Sequence, residues 1–189
     1  MIDILYLIIA SGFLAILYGY IVGKQILSAS PGNKKMQEIA SAIQEGARAF
    51  LNRQYKTIAV VGVVILVIIT YALGVWVGLG YFIGALLSGT AGYVGMLVSV
   101  QANVRTAEAS RKGLAKGLEI GFKSGAVTGM LVAGLALLSI AIYYLLLIQL
   151  NVGDREIINA LVGLGFGASL ISIFARLRSE ERRVGKECR

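Results

Sequence analysis

Histidine is absent from the 189 residues, and cysteine and proline occur once each, at Cys188 and Pro31. Without histidine the chain cannot build His-based metal sites, Ser-His-Asp triads or imidazole proton relays. A single cysteine excludes an internal disulfide and argues against redox chemistry. Charged residues are also scarce, at 15% of the chain against about 25% in ordinary soluble domains. With 57% hydrophobic residues and 24 glycines, the composition excludes soluble, disordered and disulfide-stapled classes and indicates an integral membrane protein.

Several long stretches carry no charged residue, and about 20 apolar residues suffice to cross a membrane. The stretch 57–104 would be about 72 Å long as one helix, over twice the thickness of the hydrocarbon core, so it must fold back. We place that reversal at Gly78-Leu79-Gly80, where two glycines allow a tight turn. The sequence therefore predicts an all-α membrane protein whose five spans lie near 2–23, 57–77, 81–104, 126–150 and 157–177.

The basic residues are concentrated in two of the segments between these spans. They are Lys24, Lys34, Lys35, Arg48, Arg53 and Lys56 in the first segment, and Arg105, Arg111, Lys112, Lys116 and Lys123 in the second. On the other side only Arg155 occurs, between two acidic residues. Because cytoplasmic loops carry excess Lys and Arg, this pattern predicts an external N-terminus and two cytoplasmic basic segments. It accounts for the excess positive charge without a nucleic-acid partner.

The first basic segment has the pattern of an amphipathic helix that continues into the second span. Asn33 follows a Pro-Gly turn and is a candidate N-cap. Apolar residues then repeat at helical spacing at positions 36, 39, 40, 43, 47, 50 and 51. Two interpretations stay open: the helix lies on lipid headgroups, or it docks on another part of the protein.

Small residues recur four positions apart within the predicted spans, a pattern that lets helix backbones approach closely. The clearest pairs are Ala91 with Gly95, Gly125 with Gly129, and Gly163 with Gly167. We therefore expect the five helices to form part of a larger, tightly packed bundle.

The last residues, 178–189, differ abruptly from the rest of the chain because most of them are charged. Their sequence RSEERRVGKEC resembles the in-frame translation of a common sequencing-library adapter. We expect this tail to be an artefact, and the alternative is a basic juxtamembrane segment that touches anionic lipid.

Candidate catalytic groups are few. The acidic residues before the tail are Asp3, Glu38, Glu45, Glu108, Glu119, Asp154 and Glu156. None forms a DxxxD-like cluster that could hold Mg²⁺ on a phosphate substrate. Arg176 is the one charged residue at the edge of a span, one turn beyond Ser172. Its two interpretations are a snorkelling side chain and an arginine that shapes an ion path and pairs with a carboxylate.

Four motifs together resemble one family. The run EIASAIQEGARAFLNRQYKTIA (38–59) resembles the first cytoplasmic loop of membrane-bound, ion-translocating pyrophosphatases. GTAGYVGMLVSVQANVRTAEASRKGL (89–114) resembles their third span and the following loop. FKSGAVTGM (122–130) is similar to the entry of their fourth span, and GFGASLISIFARL (165–177) to their fifth. The resemblance covers nearly all of residues 1–177, in order.

This resemblance implies a homodimeric pump, with both termini outside, that hydrolyses inorganic pyrophosphate with Mg²⁺ and exports H⁺ or Na⁺. K⁺ is an optional second cofactor, and a prokaryotic plasma membrane is the expected location. Arg176 occupies the place of the family's ion-path arginine, although Leu177 replaces the usual valine. The family's pyrophosphate site follows the fifth span, so catalytic, substrate-binding and metal residues are expected to be absent from this N-terminal fragment. We expect the chain alone to hydrolyse and transport nothing.

Two other classes remain as alternatives to the pump. A secondary transporter requires related halves with broken helices, and no internal repeat is evident in the five spans. A non-enzymatic helical membrane scaffold predicts a complete five-helix protein with a genuine tail. The source reading frame distinguishes these classes: continuation after Leu177 into a glycine turn and clustered aspartates supports the pump.

Overall fold

The computed structural model describes the backbone of residues 2–184 and the side chains of residues 3–173. This part of the chain forms five α-helices in sequence. They are α1 (Ile2–Ser28), α2 (Lys34–Leu73), α3 (Val75–Arg111), α4 (Leu114–Gln149) and α5 (Asp154–Val184). All five are long and apolar enough to cross a membrane. The predicted all-α membrane architecture is confirmed.

The helices surround α3, which packs most extensively against α5 and α4 and also contacts α2, while α1 packs mainly on α4. Two of the connections, between α1 and α2 and between α3 and α4, lie at one end of the bundle. We call this end the basic end because it carries most of the lysines and arginines. The α2–α3 and α4–α5 connections lie at the opposite end.

The predicted reversal at Gly78-Leu79-Gly80 is wrong, because these residues lie inside α3. The chain reverses at Gly74, whose φ of +100° belongs to the region that residues with a Cβ avoid. Gly78 and Gly80 are buried and have packing roles instead. A Cβ at Gly78 would collide with the Thr70 side chain, and one at Gly80 with the Ala160 carbonyl.

The basic segments are helical rather than loops, so the predicted spans are shorter than the helices. α2 runs unbroken from Lys34, and the Asn33 side chain accepts a hydrogen bond from the Met36 amide at 2.9 Å. The predicted N-cap and the continuous amphipathic helix are both confirmed. The second segment contains the end of α3 and the start of α4, separated only by residues 112 and 113.

The apolar face of the amphipathic part of α2 is only partly covered. Ala40 and Leu51 are buried, whereas Ile39 and Ile43 are more than half exposed. Further along α2, Tyr55 packs edge-on against Tyr93 of α3, with ring centroids 5.4 Å apart. Docking on α3 therefore accounts for one side of this helix, and Ile39 and Ile43 remain available to lipid.

Candidate functional site

The closest helix contact in the bundle is between α3 and α5, and glycines make it possible. A Cβ added at Gly84 would collide with the carbonyl oxygen of Leu164, and one at Gly167 with the carbonyl oxygen of Tyr81. At Gly163 it would lie 2.6 Å from the Val77 carbonyl oxygen. Because all three obstacles are backbone atoms, side-chain rotation cannot relieve them. The two backbones are therefore in direct contact, as in other close membrane-helix pairs.

Of the other two predicted small-residue pairs, one packs against a neighbouring helix and one does not. Ala91 and Gly95 are buried, and a Cβ at Gly95 would lie 2.8 Å from the Thr128 side chain, so this pair packs α3 against α4. Gly125 and Gly129 of α4 have nothing within 4 Å of an added Cβ. The expectation of close packing is thus confirmed for the first pair and for Gly163 with Gly167, while the described residues leave the Gly125–Gly129 surface uncovered.

A cavity of about 400 Å³ lies beside the α3–α5 contact, between α2, α3, α4 and α5. Its polar side chains are those of Gln54, Tyr55, Ser88, Ser139 and Ser172, and its described lining includes no charged residue. The Ser88 hydroxyl donates to the Ala168 carbonyl at 2.9 Å and so adds a bond between α3 and α5. Hydroxyls and an amide can solvate an ion or water but do not titrate near neutral pH. The described lining of this inner cavity is therefore mostly apolar with a few polar groups, and it is not an acid–base centre.

Arg176 lies in α5, but its side chain is outside the described residues. Its position in the helix follows from the 3.6-residue period, which places 165, 169, 172 and 176 on one face. The described members of that face are not covered by α3: Ser169 and Ser172 are exposed, and nothing lies within 4 Å of a Cβ at Gly165. Position 176 thus follows the inner cavity by one turn, toward the basic end.

Residues that could hold a divalent metal do not come together in the described part of the chain. No three His, Cys, Asp or Glu residues form a group there that could bind a metal ion. Mg²⁺ needs near-octahedral oxygen coordination, commonly through one or two carboxylates plus substrate phosphates. The side chains of residues 3–173 do not fit that requirement, so no metal-dependent step is assigned to them.

At the basic end, Arg105 of α3 binds the end of α1. Its Nη2 donates to the Leu27 carbonyl at 3.0 Å and its Nε to the Ala29 carbonyl at 3.2 Å. The last turn of α1 contains no basic residue of its own, and its final carbonyls lack helical partners. Arg105 supplies both the missing donors and a positive charge at the negative end of the helix dipole. Sequence reasoning counted this residue only as an orientation signal.

Replacing Arg105 with glutamine should lower the free energy of unfolding by about 2 kcal/mol, because hydrogen bonds from a charged group are lost. Thermal unfolding of the detergent-solubilised chain measures this change. Arg111→Gln is the matched control, since the Arg111 side chain is 60% exposed and, within residues 3–173, its ion pair is with Glu108. That exposed pair contributes little, so equal losses in the two variants would contradict the capping role.

A comparison with known protein families decides how these helices are classified. Residues 13–178 match the family described as inorganic H⁺ pyrophosphatase, which is well over half of the chain. The chain belongs to this pyrophosphatase family. Arg176 lies within the matched residues, and the match ends one residue into the predicted tail. The origin of residues 178–189 as an adapter artefact stays a prediction.

Curated relatives carry matching names. A K⁺-insensitive pyrophosphate-energized proton pump of Methanosarcina mazei is 48% identical over 168 residues, covering 88% of this chain and 24% of the relative. A second such proton pump, from Moorella thermoacetica, is 39% identical over 89% of this chain and 25% of its own length. A putative K⁺-stimulated sodium pump of Bacteroides thetaiotaomicron is 37% identical, with 91% and 25% covered.

The chain therefore spans about a quarter of the length of these pyrophosphatase-family relatives. With five helices able to span a membrane, it is a multi-pass membrane protein. Sequence reasoning identified the family and the Gly163–Gly167 contact. It missed the contact of Gly80 and Gly84. Gly80 was assigned to a turn and Gly84 was not considered, although the two are four residues apart, which is the spacing that identified the other pairs.

Proposed function

We propose that this chain is the N-terminal membrane part of a pyrophosphate-energised ion pump, which couples diphosphate hydrolysis to export of H⁺ or Na⁺. Within it, α1 to α4 act as a scaffold and α5 contributes to the ion path. The observation that carries this proposal is the two-sided character of α5. One side is held against α3 by backbone contact at Gly84 and Gly167, and the side that contains Ser172 is exposed and borders the inner cavity.

A helix fixed on one side and open on the other is suited to line a path between two groups of helices. Arg176 falls on the open face by helical period, one turn beyond Ser172. We propose that it lies in the ion path and pairs with a carboxylate outside residues 3–173, because an arginine at membrane depth needs such a partner. Family membership favours this pump over the secondary transporter and the non-enzymatic scaffold.

The finer parts of the proposal come from the family. Mg²⁺ is expected as cofactor, with K⁺ as an optional one, and inorganic pyrophosphate as substrate. We place the groups that bind them outside residues 3–173, because the acidic side chains within that range do not converge on a metal site. A homodimer in a prokaryotic plasma membrane, surrounded by lipid and without nucleic acid, completes the proposed assembly.

A chimera tests the proposal. The matching quarter of the Methanosarcina pump is replaced by this chain, and Mg²⁺-dependent phosphate release from pyrophosphate is measured in isolated membranes. We expect release within about tenfold of the parent pump, and none from this chain expressed alone. A second chimera, with the corresponding quarter of the Moorella pump, controls for the exchange itself. If the control chimera releases phosphate and the first chimera does not, although equal amounts of both proteins are present in the membrane, the proposal is contradicted.

A further inference from the structure

A second cavity, of about 360 Å³, lies at the basic end between the ends of α1, α3 and the start of α4. We call it the basic pocket. Its lining differs from that of the inner cavity because most of its polar side chains are charged. The charged side chains include Arg105, Lys112, Lys116, Glu119 and Lys123, and Gln25 is an uncharged polar neighbour.

The acidic side chains of the basic pocket are already engaged. Glu119 accepts a hydrogen bond from Lys123 at 2.6 Å, and this bond holds the pKa of the Glu119 carboxyl below its usual value. Glu108, which also lines the pocket, pairs with Arg111 at 3.1 Å. Both carboxylates are therefore already paired with a basic side chain.

Two lysines of the basic pocket form no salt bridge with any residue whose side chain is described. The Lys112 and Lys116 side chains make no salt bridge or hydrogen bond among the residues whose side chains the structure describes, although Lys116 is near enough to Glu119 to interact with its charge. Arg105 is committed to the α1 carbonyls, and Lys123 to Glu119. The pocket lining thus holds four basic side chains against two acidic ones, and an anion between the end of α3 and the start of α4 would offset this excess positive charge.

The depth of the basic pocket follows from its neighbours on α4. Leu114, Leu118 and Phe122 occupy the same turns of the helix as Lys116 and Glu119, and they are 84%, 69% and 78% exposed. A stripe of large apolar side chains at spacing i, i+4, i+8 is stable when it contacts lipid. Charged groups beside it at the same level then lie at the depth of the phospholipid headgroups.

We propose that the basic pocket binds the headgroup of an anionic phospholipid, with Lys112 and Lys116 contacting the phosphate. Basic pockets between membrane helices on the cytoplasmic side are suited to acidic headgroups, since each nearby lysine adds attraction. A lipid is favoured over a soluble phosphate because its acyl chains keep the headgroup at this depth and raise its effective concentration. The bound headgroup would neutralise the lysine pair and connect the ends of α1 and α4.

Native mass spectrometry of the chain purified in detergent tests this site by titration with phosphatidylglycerol and, separately, with zwitterionic phosphatidylcholine. We expect one tightly retained phosphatidylglycerol per chain and binding of phosphatidylcholine at least about tenfold weaker. The double variant Lys112→Gln/Lys116→Gln should weaken phosphatidylglycerol binding roughly thirtyfold. Both lysines are exposed, so thermal unfolding without lipid should match that of the unmodified chain.

The matched control is Lys34→Gln/Lys35→Gln, which removes the same charge from exposed positions at the basic end that do not line the pocket. It should change the affinity less than about threefold. Equal weakening in both double variants, or equal retention of the two lipids, would overturn the proposal. Displacement of the lipid by millimolar inorganic phosphate would identify a soluble-anion site instead and would also overturn it. The readout is binding alone, so it is independent of the proposed pump activity.

Discussion

Replacing Gly84 with alanine should lower the free energy of unfolding by about 2–3 kcal/mol, because a single methyl group meets the Leu164 carbonyl oxygen of α5. The obstacle is backbone, so α3 and α5 must separate along their contact. For a chain of this size the midpoint of thermal unfolding should fall by roughly 5–10 °C. Fluorescence-detected unfolding of the detergent-solubilised chain measures the shift.

Gly165→Ala provides the control for this effect, since it adds the same methyl group to a helix where nothing lies within 4 Å. Alanine is intrinsically better than glycine in a helix by up to about 1 kcal/mol. The control should therefore be neutral or slightly stabilising. If Gly84→Ala behaves like Gly165→Ala, the backbone contact does not hold the two helices together and the scaffold role of α3 is refuted.

Replacing Arg176 with alanine in the Methanosarcina chimera should reduce pyrophosphate-driven ion uptake by roughly a hundredfold or more. The reason is the proposed pairing with a carboxylate at membrane depth, where loss of one partner leaves an uncompensated charge. Uptake is measured in inverted membrane vesicles, and the amount of inserted protein is measured in the same preparation. If uptake falls by more than the amount of inserted protein, the loss of uptake is due to a role of Arg176 in the ion path.

Arg155→Ala is the matched variant for this test, because Arg155 lies in the same helix at the opposite end and is exposed. It should leave uptake within about twofold, as expected for an exposed surface charge. Should Arg176→Ala be equally mild, Arg176 is a snorkelling residue that marks the end of the span, and the proposed ion-path role is wrong.

The helices could be predicted from the sequence because membrane insertion depends on quantities that are local. An apolar stretch of about 20 residues is sufficient for a span, and an Asn before an amphipathic run is sufficient for a cap. Both features of α2 were therefore predictable, including its unbroken course from Lys34 to Leu73. The family motifs added the assignment of Arg176 to α5.

The position of the first reversal could not be predicted from composition alone. Gly74, Gly78 and Gly80 have similar sequence surroundings, and a glycine permits a turn without requiring one. The choice depends on what each residue contacts after folding: Gly80 lies against the Ala160 carbonyl, whereas Gly74 has open space. The residue that Gly80 contacts is about eighty positions away in the chain, and this contact forms only when α5 packs against α3.

Arg105 shows the same limit for charged residues. From the sequence it is one of five basic residues in the second segment, and charge counting treats all five alike. In the fold it binds carbonyls of α1, nearly eighty positions earlier, while Lys112 and Lys116 make no ion pair in the described part of the chain. Counting basic residues therefore could not distinguish the helix-capping arginine from the two lysines of the candidate lipid site.

The most direct measurement of the central claim is pyrophosphate-driven acidification of inverted vesicles that contain the Methanosarcina chimera, followed with a pH-sensitive dye. The account predicts that pyrophosphate with Mg²⁺ acidifies the vesicle interior and that a protonophore abolishes the gradient. The Moorella-quarter chimera defines the signal expected from a functional exchange. If the first chimera shows neither acidification nor pyrophosphate-dependent Na⁺ uptake, at a membrane level equal to that of a working control, these five helices are not part of a pyrophosphate-driven pump.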